Sequence, residues 1–489
     1  MATKKDLVEA YSFSRRRLVT AFVSGAPGGR EVEPARPGRA VIGGIAIAVL
    51  LLAGAAVLKI LGSPTDVNPD AEQLISEKES GADYVLISTT GSDDLELRPV
   101  INITSAMLLL GSDIEPLVVP RDKLTELKPG EQIGILQAPA TPPPVSGLIG
   151  SGWTACTGDV GGQPVGLKVN VSSTPAVVPT PGVSFVVRAQ GDDPDDEGPL
   201  YLIAESSRGT VDGTARAYAY EVPDNADAIL GGVASSSASQ AIPVPASWLT
   251  TFPQGGALDL STFGLTARDV GKRFPGRTDD GPLKKADVGD VLEVGDQSYL
   301  LTPDGTALQL DAFAESVYLA SVPEPREPLD GGGALPAELE VVESDLLDDA
   351  QWPVAPTTEP PSGELCSLLR AEPGVTPSVV LARAEPGGDA SAEGIDPGQR
   401  LATVSAGGGA FVRSGGWFDD QAATRVLIDD RAFAYGVAGD TEAVNLGYAD
   451  VPAEVVPDSW LELFVPGVLL SIDAARCPPT SQVRAEPCG

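Results

Sequence analysis

The chain has 489 residues and a formal net charge of −35, from 33 Lys and Arg against 68 Asp and Glu, and it contains no His. Such a length exceeds one compact core and predicts several modules. The acidity excludes nucleic acid as a partner, because phosphate would be repelled. The missing imidazole excludes Ser-His-Asp and Cys-His catalysis, HExxH zinc sites and histidine pH switching. Gly 55 and Pro 44 make up about a fifth of the chain, which favours short elements and many turns over long bundles.

Charge is unevenly spread. Residues 1–40 carry eight bases and four acids, a head of +4 on a remainder of −39. Thr3 to Ser24 is predicted as one helix: Thr3 with Asp6 resembles a capping box with Asp in place of Glu, and Gly25 is the stop. Leu7, Tyr11, Leu18 and Phe22 recur at helical spacing, with Arg15, Arg16 and Arg17 among them. Such a helix can rest on anionic membrane lipids, where its charge would only set topology, or dock a cytoplasmic partner; Tyr11, Phe13 and Phe22 favour docking. Residues 25–39 are a Gly/Pro-rich link.

Val41 to Leu61 is a 21-residue apolar run with one charge, Lys59. At about 1.5 Å per residue it spans roughly 30 Å, the hydrocarbon thickness of a bilayer. It is too long, and its leading segment too extended, for a cleaved signal peptide. The preceding basic cluster predicts a single-pass plasma-membrane protein, with the N-terminus cytoplasmic and residues from 62 onward exported.

Four cysteines fit an oxidising compartment: Cys156, Cys366, Cys477 and Cys488. No CxxC pair is present. Cys477 and Cys488 close a small C-terminal loop, which leaves Cys156 to pair with Cys366.

In the exported part a strand led by an aromatic and ended by Gly recurs at Tyr84–Gly91, Tyr201–Gly209, Tyr299–Gly305 and Phe411–Gly415. A second apolar strand is expected at Arg98–Ile103, Ala215–Val222, Ala307–Phe313 and Arg425–Tyr435. Leu-Gly steps follow in three copies (Leu110, Leu230, Leu446), then a Pro-led short helix, best seen at Pro245-Ala-Ser-Trp-Leu and Pro457-Asp-Ser-Trp-Leu. The fold class expected is α+β: one transmembrane helix, then a β-rich central domain flanked by four small α+β repeats. The repeats fall at 62–146, 191–262, 263–335 and 391–476. The central domain has halves at 147–190 and 364–390, stapled by Cys156–Cys366. A Pro/acid-rich linker, exposed apart from a strand or helix near Leu339–Leu347, occupies 336–363, and a short tail 477–489. Trp248, Phe252, Trp460 and Phe464 are expected in module cores.

The head Lys4-Lys-Asp-Leu-Val-Glu-Ala-Tyr-Ser-Phe-Ser-Arg-Arg-Arg-Leu-Val, the single span, Pro99-Val-Ile-Asn-Ile-Thr-Ser-Ala and Trp153-x-x-Cys156 resemble the EccB family of actinobacterial type VII (ESX) secretion systems. The resemblance implies a structural core-complex subunit that assembles with EccC, EccD and EccE, with a mycosin protease and with other EccB copies. It also implies that the head helix contacts cytoplasmic parts of the complex, and it maps the family's exported disulfide onto Cys156 and Cys366.

Family members are assigned ATPase activity, so an extracytoplasmic hydrolase is the alternative. No GxxxxGK[ST] is present; the nearest match is Gly271-Lys272-Arg273, and Gly407-Gly-Gly has a hairpin context. The run Asp192–Glu197 lacks EF-hand spacing and is expected to be a solvated loop. No catalytic residue, cofactor or metal is assigned.

Overall fold

The computed structural model describes residues 3–24, 67–89, 92–160, 163–190, 197–208, 215–342, 345–357 and 363–479. The chain divides into two compact units, Met1–Thr65 and Asp66–Gly489. The first contains the helix Lys4–Ser24. Val41–Leu61 and Cys488 lie outside the described residues, and among the described residues no helix is long and apolar enough to cross a membrane.

In the second unit the described residues build five sheets. Four of them repeat one topology. A three-stranded antiparallel meander leads into a helix, and a return strand then pairs parallel to the first meander strand. The meanders are Gln73–Glu77, Asp83–Thr89 and Ser92–Pro99; Ser184–Gln190, Glu197–Ser206 and Arg216–Glu221; Val291–Val294, Gln297–Leu301 and Ala307–Leu310; and Ala410–Gly415, Thr424–Ile428 and Phe433–Val437. Their helices are Ile103–Leu110, Ala226–Val233, Ala312–Ser321 and Asp440–Asn445. The return strands are Leu117–Val119, Ile242–Pro245, Leu329–Asp330 and Val455–Pro457. Each module then runs a further segment parallel to its third strand, at Pro129, Gln254, Val341–Val342 and Val465–Pro466. Strand alternation shapes these sheets: in the first, Leu74, Val85 and Ile87 face one core while Ile75, Leu86 and Leu97 face another.

The fifth sheet is central, ordered Arg400–Val404, Gln163–Val171, Trp153–Val160, Glu364–Arg370, Ser378–Ala384, Val177–Pro179. Two distant chain segments meet in it, with Cys366 directly opposite Cys156. One face of this sheet, with Trp153, Leu167, Val169, Leu369 and Leu381, packs on Phe185 and Trp248 of the second module and on Val412, Trp460 and Phe464 of the fourth. The second and third modules share a core through helices Ala226–Val233 and Ala312–Ser321. The first and fourth share one through Ile103–Leu110 and the helix Ile472–Ala475.

Several sequence expectations are corrected. Phe411 sits in the first strand of its meander, whereas Tyr84, Tyr201 and Tyr299 sit in the second, so the fourth copy was aligned one strand out. An aromatic-led strand closing on Gly describes any arm of a hairpin, and alternation carries no ordinal number. Arg98–Ile103 is not a strand: the strand ends at Pro99, and Asn102 caps a helix by accepting from Ser105 N (2.8 Å). Phe313 likewise belongs to a helix, capped by Asp311 through Ala314 N (2.9 Å). Arg425–Tyr435 is two strands, parted where the Asp429 carboxylate accepts from the backbone N–H groups of Arg431 (3.1 Å) and Phe433 (3.0 Å). The strand Ser184–Gln190, expected in the central domain, opens the second module's meander because it ladders with Glu197–Ser206. Arg400–Val404, expected in the fourth repeat, joins the central sheet parallel to Gln163–Val171. The stretch 336–363 carries the strand Val341–Val342 and the helix Asp345–Asp349, near where a strand or helix was expected, but its fully buried Trp352 departs from an exposed linker.

Candidate docking surfaces and the test for an active site

The head helix begins as its residues dictate. Thr3 donates to the Asp6 carboxylate from its backbone N (2.9 Å) and its Oγ1 (2.7 Å), so Asp6 reaches back over the open end of the helix as a capping-box acid does. These bonds hold the Asp6 carboxyl below the usual range. Further along, the apolar row is bare: Leu7, Tyr11 and Leu18 are each about two-thirds or more exposed and Phe22 is 94% exposed. Tyr11, Arg15, Leu18, Val19 and Phe22 line one shallow groove along the helix. Arg16 and Arg17 are exposed as well. The helix therefore presents an apolar stripe that contains one guanidinium and is flanked by two more.

Cys156 and Cys366 form a disulfide with Cα atoms 4.1 Å apart, both fully buried on the sheet face opposite the main core. Cys477 is also disulfide-bonded, and Cys488, with which it was expected to pair, lies outside the described residues.

The four aromatic residues expected in cores are buried, and they sit where modules meet. Trp248 Nε1 donates to Ala155 O (2.9 Å), tying the second module to the central sheet. Trp460 Nε1 donates to Thr251 O (3.1 Å), tying the fourth to the second. The Trp153 and Phe464 rings meet edge to face at 5.5 Å. Trp352 was missed by sequence reasoning. It packs on Phe263 and Phe313, while its carbonyl accepts from Ser206 Oγ and Arg208 Nε, both at 2.8 Å. The available signal was a lone Trp in a polar stretch, since so large a ring is seldom left in water.

Nucleotide or metal chemistry needs groups brought together. Lys272 lies in a surface turn with its Nζ on Asp269 Oδ1 (2.8 Å), and no helix starts after it to offer amide donors to a phosphate. Gly407-Gly408-Gly409 is a turn, closed by Gly408 N on Ser405 O (2.8 Å). Residues 191–196 of the acidic run lie outside the described residues, and among the described residues no group of three carboxylate or thiol ligands converges. Two half-buried carboxyls stand out for their surroundings. Burial raises Glu205, which accepts from Leu381 N (2.9 Å), and burial raises Glu454, which lies in a groove with Asp113 and Asp450. They are far apart in the fold, one between the second module and the central sheet and one in the fourth module, so they form no catalytic pair.

Residues 1–479 match the family described as type VII secretion system ESX-1, transport TM domain B. The chain is 30% identical over 455 residues to the ESX-1 secretion system ATPase EccB1 of Mycolicibacterium smegmatis, covering 89% of this chain and 87% of that protein. Its fold resembles a chain of an intact ESX-5 inner membrane complex, with a TM-score of 0.58 at 20% identity over 100% of this chain and 98% of the other. It also resembles EccB3 from a dimer of the ESX-3 core complex, with a TM-score of 0.58 at 19% identity over 83% of this chain and 100% of the other. A match that starts in the basic head and runs through the last repeat places this chain in the EccB family of type VII secretion components.

Proposed function

We propose that this protein is a membrane-anchored scaffold subunit of a type VII (ESX) secretion machine. The observation that carries the reading is the family match along residues 1–479, joined to a body in which Trp153, Trp248, Trp460 and Phe464 pack where modules meet. In this reading Val41–Leu61 crosses the membrane once with the basic head inside. The row Leu7, Tyr11, Leu18 and Phe22, with Arg15, Arg16 and Arg17, docks on cytoplasmic parts of the machine, of the EccC, EccD and EccE type. The body projects outward, where the disulfide is stable, and meets other copies of itself and a mycosin-type protease. The work done is geometric: the span and head fix position, and the modules hold neighbours at a set spacing.

Native co-purification through a tag on the C-terminal end tests this. A large multi-subunit membrane assembly is expected, and recovery of a lone monomer overturns the reading. The name of the EccB1 relative carries a second reading, ATP hydrolysis. Purified full-length protein distinguishes the two: turnover abolished by a single carboxylate substitution favours an enzyme.

A further inference from the structure

Sheet edges are where a protein invites or refuses another chain, because each edge carries a row of unpaired main-chain donors and acceptors. The described edges of this body are nearly all closed. Leu117–Val119 is three residues between Pro116 and Pro120, and Ile242–Pro245, Val177–Pro179, Val455–Pro457 and Val465–Pro466 each contain proline. Leu329–Asp330 and Val341–Val342 are two residues long. Ser92–Pro99 and Arg216–Glu221 are bridged on their outer sides by Pro129 and Gln254. Proline lacks the donor an added strand needs, so these edges are guarded.

Arg400–Val404 differs. It is a five-residue edge strand without proline, paired on one side only, to Gln163–Val171. Leu167 N donates to Gln399 O (2.9 Å) and Ser405 N to Val171 O (3.0 Å). The alternation of a parallel ladder therefore turns the N–H and C=O of Arg400, Ala402 and Val404 outward, and among the described residues no strand pairs with them. Arg400 is exposed, Leu401 is 47% exposed and Ala402 is half-buried, while Val404 at the far end is buried against the main core.

We propose that this edge accepts an extended segment of a different polypeptide as a seventh strand of the central sheet. The occupant is free of proline, small or β-branched beside Leu401 and Thr403, and bears a carboxylate against Arg400, whose guanidinium makes no ion pair among the described residues. A second copy fits poorly. Antiparallel self-pairing about Ala402 sets each Arg400 against the other copy's Val404 and brings together two bodies of strongly negative charge. The inference rests on the chain working within an assembly, as proposed above, but not on which machine that is.

Hydrogen exchange on the full-length protein, compared between the detergent-purified chain and the native membrane assembly, tests it. The amide of Ala402 is expected to slow by about a hundredfold or more in the assembly. A photo-crosslinker in place of Leu401 is expected to attach to one extended segment of another chain. Ala402→Pro removes only an outward N–H, so folding is expected to persist while the crosslink is lost. Should that variant not fold, exchange and crosslinking of the parent chain decide alone. An unprotected Ala402 amide within a recovered assembly, or a crosslink to a second copy, overturns the edge proposal and leaves the scaffold reading standing. A lone monomer overturns both.

Discussion

Trp352 is surrounded in sequence by proline and acid, yet it is fully buried against Phe263 and Phe313 at ring distances of 5.3 and 5.9 Å. Trp352→Ala is expected to cost about 3–5 kcal/mol, by lost transfer energy and an unfilled cavity. Denaturant unfolding measures it, and a loss below about 1 kcal/mol would place the ring outside the core. Glu205 gives a prediction in pH. Burial raises its carboxyl above the ordinary 4.5, against the Leu381 N–H and Arg370, which lower it. The folded chain thus holds this proton more tightly than the unfolded one. Its stabilising contribution is complete below the unfolded value and is lost as pH rises through the folded value. Glu205→Gln keeps an acceptor for Leu381 N without the charge, so the melting-temperature advantage of the variant should grow between about pH 4 and pH 7. A flat difference across that range would show that the carboxyl is not strained by burial. Trp352 carried a sequence signal, a lone Trp in a polar stretch, whereas Glu205 carried none, because burial of one Glu among many depends on what the rest of the chain brings over it.

Strands and helices were legible in kind more than in place. The short Pro-led helices were expected at Pro245 and Pro457 and occur at Ala246–Leu249 and Asp458–Leu461, where proline at the cap and a following Trp mark them locally. The ordinal position of Phe411 was not legible, since every arm of a meander has the same period. The bond between Cys156 and Cys366 was expected once Cys477 was assigned to Cys488, and from the resemblance to EccB; that the two stand opposite each other on neighbouring strands was not. Replacing both with Ala is expected to cost about 5 kcal/mol on the chain-entropy model, given a separation of 210 residues. Chemical unfolding of the double variant against the parent reads this out, and equal midpoints would mean the sheet alone already holds the two halves. At the first module, Asn102→Ala should cost about 1 kcal/mol through loss of the cap on Ile103–Leu110. Thermal unfolding would show it, and no change would mean water satisfies Ser105 N as well.

The body carries most of a −39 charge outside the basic head, so association between copies works against long-range repulsion. Raising ionic strength from about 20 mM to about 300 mM shortens the Debye length severalfold and should tighten self-association. Sedimentation of the purified protein measures this, and association that weakens with salt would point instead to complementary charged patches. Composition, the apolar run Val41–Leu61, the basic head and the even cysteine count are properties of consecutive residues, and they sufficed for the expectation of an α+β protein with one membrane span and a disulfide-bonded exported body. Which strand opens each module, the recruitment of Arg400–Val404 to the central sheet and the burial of Trp352 arise from pairings between segments far apart in the chain. Local periodicity says that a strand wants a neighbour; only the closing of long loops around a shared core selects which neighbour it gets.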